Sequence, residues 1–222
     1  MQALDLNVFL YFISIWAIPV LFAITLHEVA HGWTARFFGD RTAELLGRLS
    51  LNPLRHIDPI GTVLIPGSLL ALGLPLFGWA KPVPVQTGSL RSPRRAAIMV
   101  ALAGPAANIF MALLWCGVLV AVLQIRRGQI LDNWVVLMAQ AGIKVNAVLA
   151  LFNLLPIPPL DGGRVLVGVL PARLGASVEK IAPAGMFIVV GLSVLGLLGW
   201  LFRPAYRAIG HVINVLGIGL LT

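Results

Sequence analysis

Two histidines and a glutamate stand at the end of a long apolar run, in the segment LFAITLHEVAHGW (residues 21–33). His27 and His31 are four residues apart, so on an α-helix their side chains share one face, one turn apart. Two neutral imidazoles at this spacing can bind one Zn²⁺ ion, and Glu28 would lie beside the metal as a base for its water. The alternative is a chance match in which the histidines cap a helix end. Unpaired ionisable groups are costly in an apolar run, so the pattern favours a metal site.

A catalytic zinc ion needs a third protein ligand and an open fourth position. The best candidate is Asp161, in the segment FNLLPIPPLDGGRVL (residues 152–166). Three prolines break the helix there, and Gly162 and Gly163 allow a sharp turn, so the aspartate could reach a neighbouring helix. Its alternative role is to cap a short helix that starts near Gly163. Each candidate metal segment is followed within five residues by an arginine, which places both segments at the same depth.

The elements that must hold these residues are apolar. The 222 residues are 59% hydrophobic and only 11% charged, with a mean hydropathy of +0.96, whereas a soluble domain carries about 25% charged residues. We therefore expect an all-α polytopic membrane protein with a single domain over residues 1–222, whose partner is the lipid bilayer. The net charge of +8 does not indicate nucleic acid, because the basic residues lie in short stretches where they can face lipid headgroups.

About four stretches are long and apolar enough to span a membrane, since a spanning helix needs about 20 residues. The sequence predicts spanning helices over residues 7–35, 96–125, 133–155 and 181–202. A short helix over residues 208–221 completes the C-terminal helices of residues 181–222. Residues 36–95 are expected to hold loops and extended segments on the cytoplasmic side, and residues 156–180 the Pro- and Gly-rich segment with Asp161.

The apolar stretch at residues 59–80 differs from these spans. Prolines and glycines interrupt it, which argues against one straight helix. Basic residues flank it on both sides, and the positive-inside rule prefers both flanks in the cytoplasm. We therefore expect this stretch to be re-entrant or broken. The first helix then runs from outside to inside, and both metal motifs lie just inside the cytoplasmic face.

Three motifs in this order resemble the site-2 protease family of zinc intramembrane metalloproteases. They are HEVAH (residues 27–31), AGPAAN (residues 103–108) and NLLPIPPLDGG (residues 153–163). The resemblance implies one zinc ion per chain with His27, His31 and Asp161 as ligands and Glu28 as the catalytic base. It also implies that Asn153 holds the substrate or the oxyanion.

The same resemblance implies what the protein acts on and where. The substrates would be transmembrane proteins, cleaved within or near the membrane in regulated intramembrane proteolysis. The segments LNPLRHIDPIGT and GWAKPVPV are similar to the compact bacterial branch, which implies the bacterial cytoplasmic membrane with the active site near the cytoplasmic face. Many relatives add a leading helix, a PDZ domain or paired CBS domains. We expect none here, and so no substrate selection by such modules.

Two other functions stay open. A metal transporter or channel would use the same ligands as a transit site, and it predicts a row of polar residues across several spans. The outer halves of the predicted spans hold almost none. A catalytically inactive binding module for membrane proteins would be natural if Glu28 or a ligand were missing, but all are present. The sequence therefore favours the protease.

The remaining polar and extended segments allow further expectations. GRLSLN (residues 47–52) and WAKPVPV (residues 79–85) are predicted to form a short β element whose edge holds an unwound substrate, with ordinary loop as the alternative. We expect His56 and Asp58 to order their loop through hydrogen bonds, although His56 could approach the metal or the substrate. Small neighbours favour a packing role for Asn108 between helices. Lys144 is expected to snorkel or to face an aqueous cleft.

Overall fold

The computed structural model describes residues 6–71, 78–125 and 134–215, and every regular element in these ranges is helical. In chain order the helices are α1 (Leu6–Phe37), α2 (Thr42–Leu45), α3 (Ile65–Ala71), α4 (Pro93–Ile125), α5 (Trp134–Asn153), α6 (Asp161–Val169), α7 (Ala172–Glu179), α8 (Ala182–Val194) and α9 (Leu197–Val215). Shorter helical turns cover Pro53–Arg55, Pro59–Leu64 and Thr87–Ser89.

Three of these helices are long and apolar enough to cross a membrane: α1 over Ile13–Phe37, α4 and α5. The three pack against one another, and small residues bring their backbones close, as is typical of membrane helices. Their buried positions include Ala23, Ala35, Ala96, Ala101, Ala139 and Ala141. Large apolar side chains such as Phe22, Phe110 and Leu113 are exposed instead, as lipid-facing residues are. The chain is therefore an integral membrane protein, and the predicted helices over residues 7–35, 96–125 and 133–155 are confirmed within the described ranges.

The predicted span over residues 181–202 is wrong as a single helix. Helix α8 ends at Val194, and Gly196 adopts a positive φ of 72° before α9 begins at Leu197. A glycine in this left-handed conformation ends a helix without the steric cost that a Cβ atom brings. The candidate fourth span is the pair α7 and α8, which bends by 62°. The predicted C-terminal helix is part of α9 as far as Val215, and its last residues lie outside the described ranges.

The stretch at residues 59–80 is broken, as its composition predicts. A π-helical turn over Pro59–Leu64 leads into α3, and residues 72–77 lie outside the described ranges. The two ends of the stretch are joined, because the Trp79 N–H donates to the Gly61 carbonyl over 3.0 Å. The Thr62 hydroxyl also donates to the Trp79 carbonyl over 2.8 Å. Residues 61 and 62 near the start of the stretch are therefore in contact with Trp79 near its end.

The predicted short β element is wrong, because no strand occurs in the part of the chain that the structure describes. Residues 79–85 are extended, but Pro82 and Pro84 have no N–H to donate to a partner strand. The N–H of Lys81 donates to the His56 carbonyl over 2.9 Å, and that of Val83 donates to Glu28. With these N–H groups already used, the stretch forms no ladder, and residues 47–52 are turn and loop.

Asp40 joins the loop after α1 to the end of this extended stretch. Its buried carboxylate accepts hydrogen bonds from the Thr42 N–H at 2.9 Å and from the Gln86 N–H at 2.6 Å. Burial by itself would raise the pKa of Asp40, but these bonds and one from the Thr42 hydroxyl outweigh it and lower the pKa below its usual value. The carboxylate therefore stays charged at neutral pH and holds residues 79–86 against α1.

Candidate metal centre

His27, His31 and Asp161 come together from two helices that are far apart in the sequence. The Nε2 atoms of His27 and His31 lie 3.0 Å apart on α1. The Asp161 Oδ2 atom lies 3.2 Å from His27 Nε2 and 3.3 Å from His31 Nε2. All three residues are buried, and they form a group that can hold a metal ion. The alternative role of Asp161 as a helix cap is wrong, because Leu160 occupies the N-cap position of α6.

The chemistry of these atoms fits a metal cation. The Nδ1 atom of His31 lies 2.6 Å from the Val100 carbonyl, which can only accept, so Nδ1 carries the proton and Nε2 keeps a lone pair. Asp161 Oδ2 is buried with no hydrogen-bond donor among the described residues. Acceptor atoms that converge in a buried site need a positive charge between them. Two imidazole nitrogens and a carboxylate oxygen are the donor set of a catalytic zinc ion.

Gly104 lets α4 pass directly over the two histidines. A Cβ atom on this residue would overlap His31 Nε2 and lie 2.6 Å from His27 Cε1. Only glycine fits at this position, so the glycine of the AGPAAN motif contributes to the site by letting α4 approach the histidines.

Two further glycines bring Asp161 to the same point. A Cβ atom on Gly162 would overlap the Leu154 backbone, and one on Gly163 would overlap Pro158. Helix α6 therefore starts in contact with the turn that precedes it. This close approach positions the first residue of α6, Asp161, opposite α1.

Glu28 lies beside the metal group and faces a cavity of about 480 Å³. Its Oε2 atom accepts a hydrogen bond from the Val83 N–H over 2.8 Å. This bond fixes the carboxylate by one oxygen and leaves Oε1 for other chemistry. The cavity is also lined by His27, Trp79 and Asn153.

Asn153 is the last residue of α5, at the edge of the same cavity. Its Nδ2 atom donates one hydrogen to the Leu149 carbonyl over 3.0 Å. An amide nitrogen carries two hydrogens, so the second can serve a group in the cavity. The structure thus brings Asn153 to the cavity that His27 and Glu28 line, and its contact with substrate stays a prediction.

The other predicted polar residues lie away from the metal group. His56 is fully buried, and its Nε2 atom donates to the Ser50 carbonyl over 2.8 Å. Asp58 accepts hydrogen bonds from the N–H groups of Ile60 and Gly61. Both residues order their loop, as predicted. Lys144 is half-buried on α5, and its snorkelling role stays a prediction.

Some groups at the site could not be found from the sequence. The Val100 carbonyl and the Val83 N–H are backbone groups. Every residue type has the carbonyl, and every type except proline has the N–H. Asn108 does more than pack, since its Oδ1 atom lies 2.6 Å from His27 Nδ1. The motif AGPAAN was the one available signal for it.

A bundle of apolar helices with a buried His–His–Asp group and an adjacent glutamate in a cavity defines a membrane metallohydrolase. Comparison with known proteins agrees. The family model of Peptidase family M50 matches residues 116–196. This range includes Asn153 and Asp161, but it begins after His27 and His31 and so contains neither. No solved structure matches significantly.

Curated relatives extend the similarity over most of the chain. A protein of Bacillus subtilis (strain 168) named "Putative zinc metalloprotease YwhC" is 36% identical over 201 residues, which cover 86% of this chain and 85% of the relative. A protein of Mycolicibacterium smegmatis named "Putative zinc metalloprotease Rip2" is 34% identical over 90% of this chain and 73% of its own. The chain belongs to peptidase family M50, the site-2 proteases, which makes it a peptide-bond hydrolase.

Proposed function

We propose that this chain is a zinc-dependent intramembrane endopeptidase that cleaves transmembrane protein substrates. One observation carries the proposal: His27, His31 and Asp161 present three acceptor atoms within 3.3 Å of one another, next to Glu28. The names of the relatives support zinc as the metal. Three apolar spans around the group support cleavage at membrane depth.

Each residue around the cavity has a distinct task in this reaction. His27, His31 and Asp161 would hold a zinc ion, which would supply Lewis acidity to polarise the scissile carbonyl and to lower the pKa of a water molecule to about 7. Glu28 accepts the proton of the attacking water at Oε1, while the Val83 N–H holds Oε2 in place. Glu28 then returns the proton to the leaving amine. The second Nδ2 hydrogen of Asn153 donates to the oxygen that gains negative charge.

We place the active site near the cytoplasmic face of a bacterial membrane, with residues 59–80 re-entrant. The hydrogen bond between Trp79 and Gly61 supports this, since it joins the two ends of that stretch. Basic residues on both sides of it support the same orientation: Arg36, Arg41, Arg48 and Arg55 before it, and Lys81, Arg91, Arg94 and Arg95 after it. The cavity beside Glu28 lies against this broken stretch. A substrate helix would unwind there before its peptide bond reaches the metal.

Neither alternative function gains an observation in its favour. A transporter needs polar groups that open onto a pathway. The buried side-chain amides of Asn108 and Asn146 instead donate to the backbone carbonyls of Ala23 and Gly142, respectively. An inactive binding module needs no base, yet Glu28 is present and fixed by Val83. The protease therefore remains the proposal.

Zinc content tests the ligand set. Purified wild-type protein should hold about one zinc ion per chain, since three ligands and an open position define one catalytic site. His27→Ala and His31→Ala should each lose most of it, and Asp161→Ala should lose less because two imidazoles remain. Metal analysis after gel filtration in detergent measures this. His211→Ala, at an exposed histidine on α9, is the matched control and should keep the wild-type content. Equal zinc in the wild type and the His27/His31 double variant would contradict the assignment.

Cysteine labelling tests the orientation. In a Cys116→Ala background, which removes the only natural cysteine, cysteines at Arg41 and Ser89 should both resist an impermeant thiol reagent added to intact cells. Both are exposed and should react after permeabilisation. A cysteine at Gln129, between α4 and α5, should react from outside because one span separates it from Ser89. Labelling of only one of the first two positions would make residues 59–80 a true span.

A further inference from the structure

Behind the metal group, two buried asparagines connect His27 to helix α5. Asn108 on α4 and Asn146 on α5 are both fully buried. His27 Nδ1 lies 2.6 Å from Asn108 Oδ1, and Asn108 Nδ2 lies 3.0 Å from Asn146 Oδ1. Polar side chains are costly to bury among apolar helices unless every one of their hydrogen bonds is made. This pair therefore has a role that an apolar residue could not fill.

Backbone carbonyls fix the orientation of both amides. Asn146 Nδ2 donates to the Gly142 carbonyl over 2.9 Å, and Asn108 Nδ2 donates to the Ala23 carbonyl over 3.2 Å. A carbonyl accepts and never donates, so each of these contacts requires the NH₂ side of the amide. The oxygen of Asn146 must then face Asn108, and the oxygen of Asn108 must face His27.

This orientation determines where the proton of His27 lies. The oxygen of Asn108 can only accept, so His27 Nδ1 must be the donor. In a neutral imidazole the other nitrogen, Nε2, then carries a lone pair, and it is Nε2 that faces Asp161. We propose that Asn108 and Asn146 form an amide relay that sets the Nδ1–H tautomer of His27 and so prepares it as a metal ligand. Both are positioning residues, and the inference rests on the proposed function because His27 is its metal ligand.

The relay differs from simple packing in one respect. Asn146 has no contact with His27 in this chain of bonds, so its effect must pass through the orientation of Asn108. Removing Asn146 leaves the Asn108 amide held only by its longer bond to the Ala23 carbonyl, 3.2 Å against 3.0 Å, so the amide rotates more easily. Removing Asn108 leaves Asn146 with nothing to transmit. Two residues that act in series give non-additive effects, whereas two independent packing defects add.

The variants Asn108→Leu and Asn146→Leu, singly and together, test the relay through zinc affinity in detergent. Outer-shell partners of metal-ligating histidines typically contribute about 10–100-fold to metal affinity. We expect Asn108→Leu to lower the zinc affinity within that range and Asn146→Leu to lower it about tenfold. The double variant should match Asn108→Leu within about twofold.

The control is Gln140→Leu. Gln140 is a buried amide on α5, the helix that also carries Asn146, and its Nε2 atom has no hydrogen-bond partner among the described residues. Its zinc affinity should equal that of the wild type.

A spectroscopic signature reports the tautomer without metal or activity. In zinc-free protein with ¹⁵N-labelled histidine, at a pH where imidazoles are neutral, His27 should carry its proton on Nδ1. This signal should shift to a mixture of tautomers in Asn146→Leu and stay unchanged in Gln140→Leu. If Asn108→Leu does not fold, Asn146→Leu is sufficient, with thermal unfolding of the zinc-free protein as its folding control.

Each result has one meaning. An additive double variant, or a wild-type His27 tautomer in folded Asn146→Leu, would overturn the relay while leaving the protease proposal intact. Wild-type protein that takes up no zinc would overturn the proposed function instead, and the zinc-free tautomer would still report on the relay. Non-additive affinities together with a mixed tautomer support it.

Discussion

Glu28→Gln should abolish cleavage of a reconstituted transmembrane substrate while the protein still holds about one zinc ion per chain. Glutamine keeps the size of the side chain, and its carbonyl oxygen can still accept the Val83 N–H that now bonds Oε2. It cannot take a proton from water or return one to the leaving amine, and general acid–base catalysis contributes about 10²–10⁴-fold. Because both proton transfers pass through this one carboxylate, we expect the remaining rate to be below detection. Cleavage and zinc content should be measured on the same samples.

Two companion variants make this result specific. Asn153→Ala should also keep zinc, but it should retain slow cleavage, because removing one oxyanion donor costs about 10²–10³-fold. Glu44→Gln is the matched control, since Glu44 pairs with Arg36 and Arg41 on the surface and such pairs contribute little to stability. Its cleavage rate should equal that of the wild type. Near wild-type cleavage by Glu28→Gln would refute the proposed mechanism.

Gly104→Ala should empty the metal site by the addition of one methyl group. Its Cβ atom would overlap His31 Nε2 and lie 2.6 Å from His31 Cε1 and from His27 Cε1, so both imidazoles must shift from their positions beside Asp161. Displacing the ligands themselves should cost more than losing an outer-shell partner, so we expect zinc affinity to fall by at least about 100-fold. Zinc titration and cleavage should show the two losses together.

The matched control lies on the same helix. Gly117 also sits on α4, but a Cβ atom there would meet nothing within 4 Å. Gly117→Ala should therefore keep full zinc and activity, with a small gain in thermal stability from the better helix propensity of alanine. Full zinc binding by Gly104→Ala would contradict the close approach of α4 to the histidines.

Local chemistry in the sequence predicts the ligands of the site. Histidines four residues apart share a helix face wherever the helix lies, so HEVAH predicts a two-histidine site without a fold. Asp161 needed a second signal, the proline break and the glycines around it. The structure shows why these are required, since a Cβ atom on Gly163 would overlap Pro158. The length and hydropathy of the segments were also sufficient to predict the three apolar spans.

The two wrong predictions have different physical causes. The extended stretch at residues 79–85 looked available for a strand edge, but its Val83 N–H is bound to Glu28, far away in the sequence. The span predicted over residues 181–202 ignored Gly196, whose positive φ ends α8. Hydropathy averages over a window and does not register where one glycine turns the chain.

The sequence by itself predicted the candidate metal ligands, the candidate base and the apolar spans, because these predictions depend on residue type and on local spacing. The tertiary structure decided which histidine nitrogens face the candidate metal site. Asn108 lies 81 residues from His27, and Asn146 lies a further 38 residues from Asn108, so no local rule relates them. Which amide face meets which carbonyl depends on how α1, α4 and α5 pack. A tautomer is a property of a hydrogen-bond network, and that network exists only once the helices are in contact.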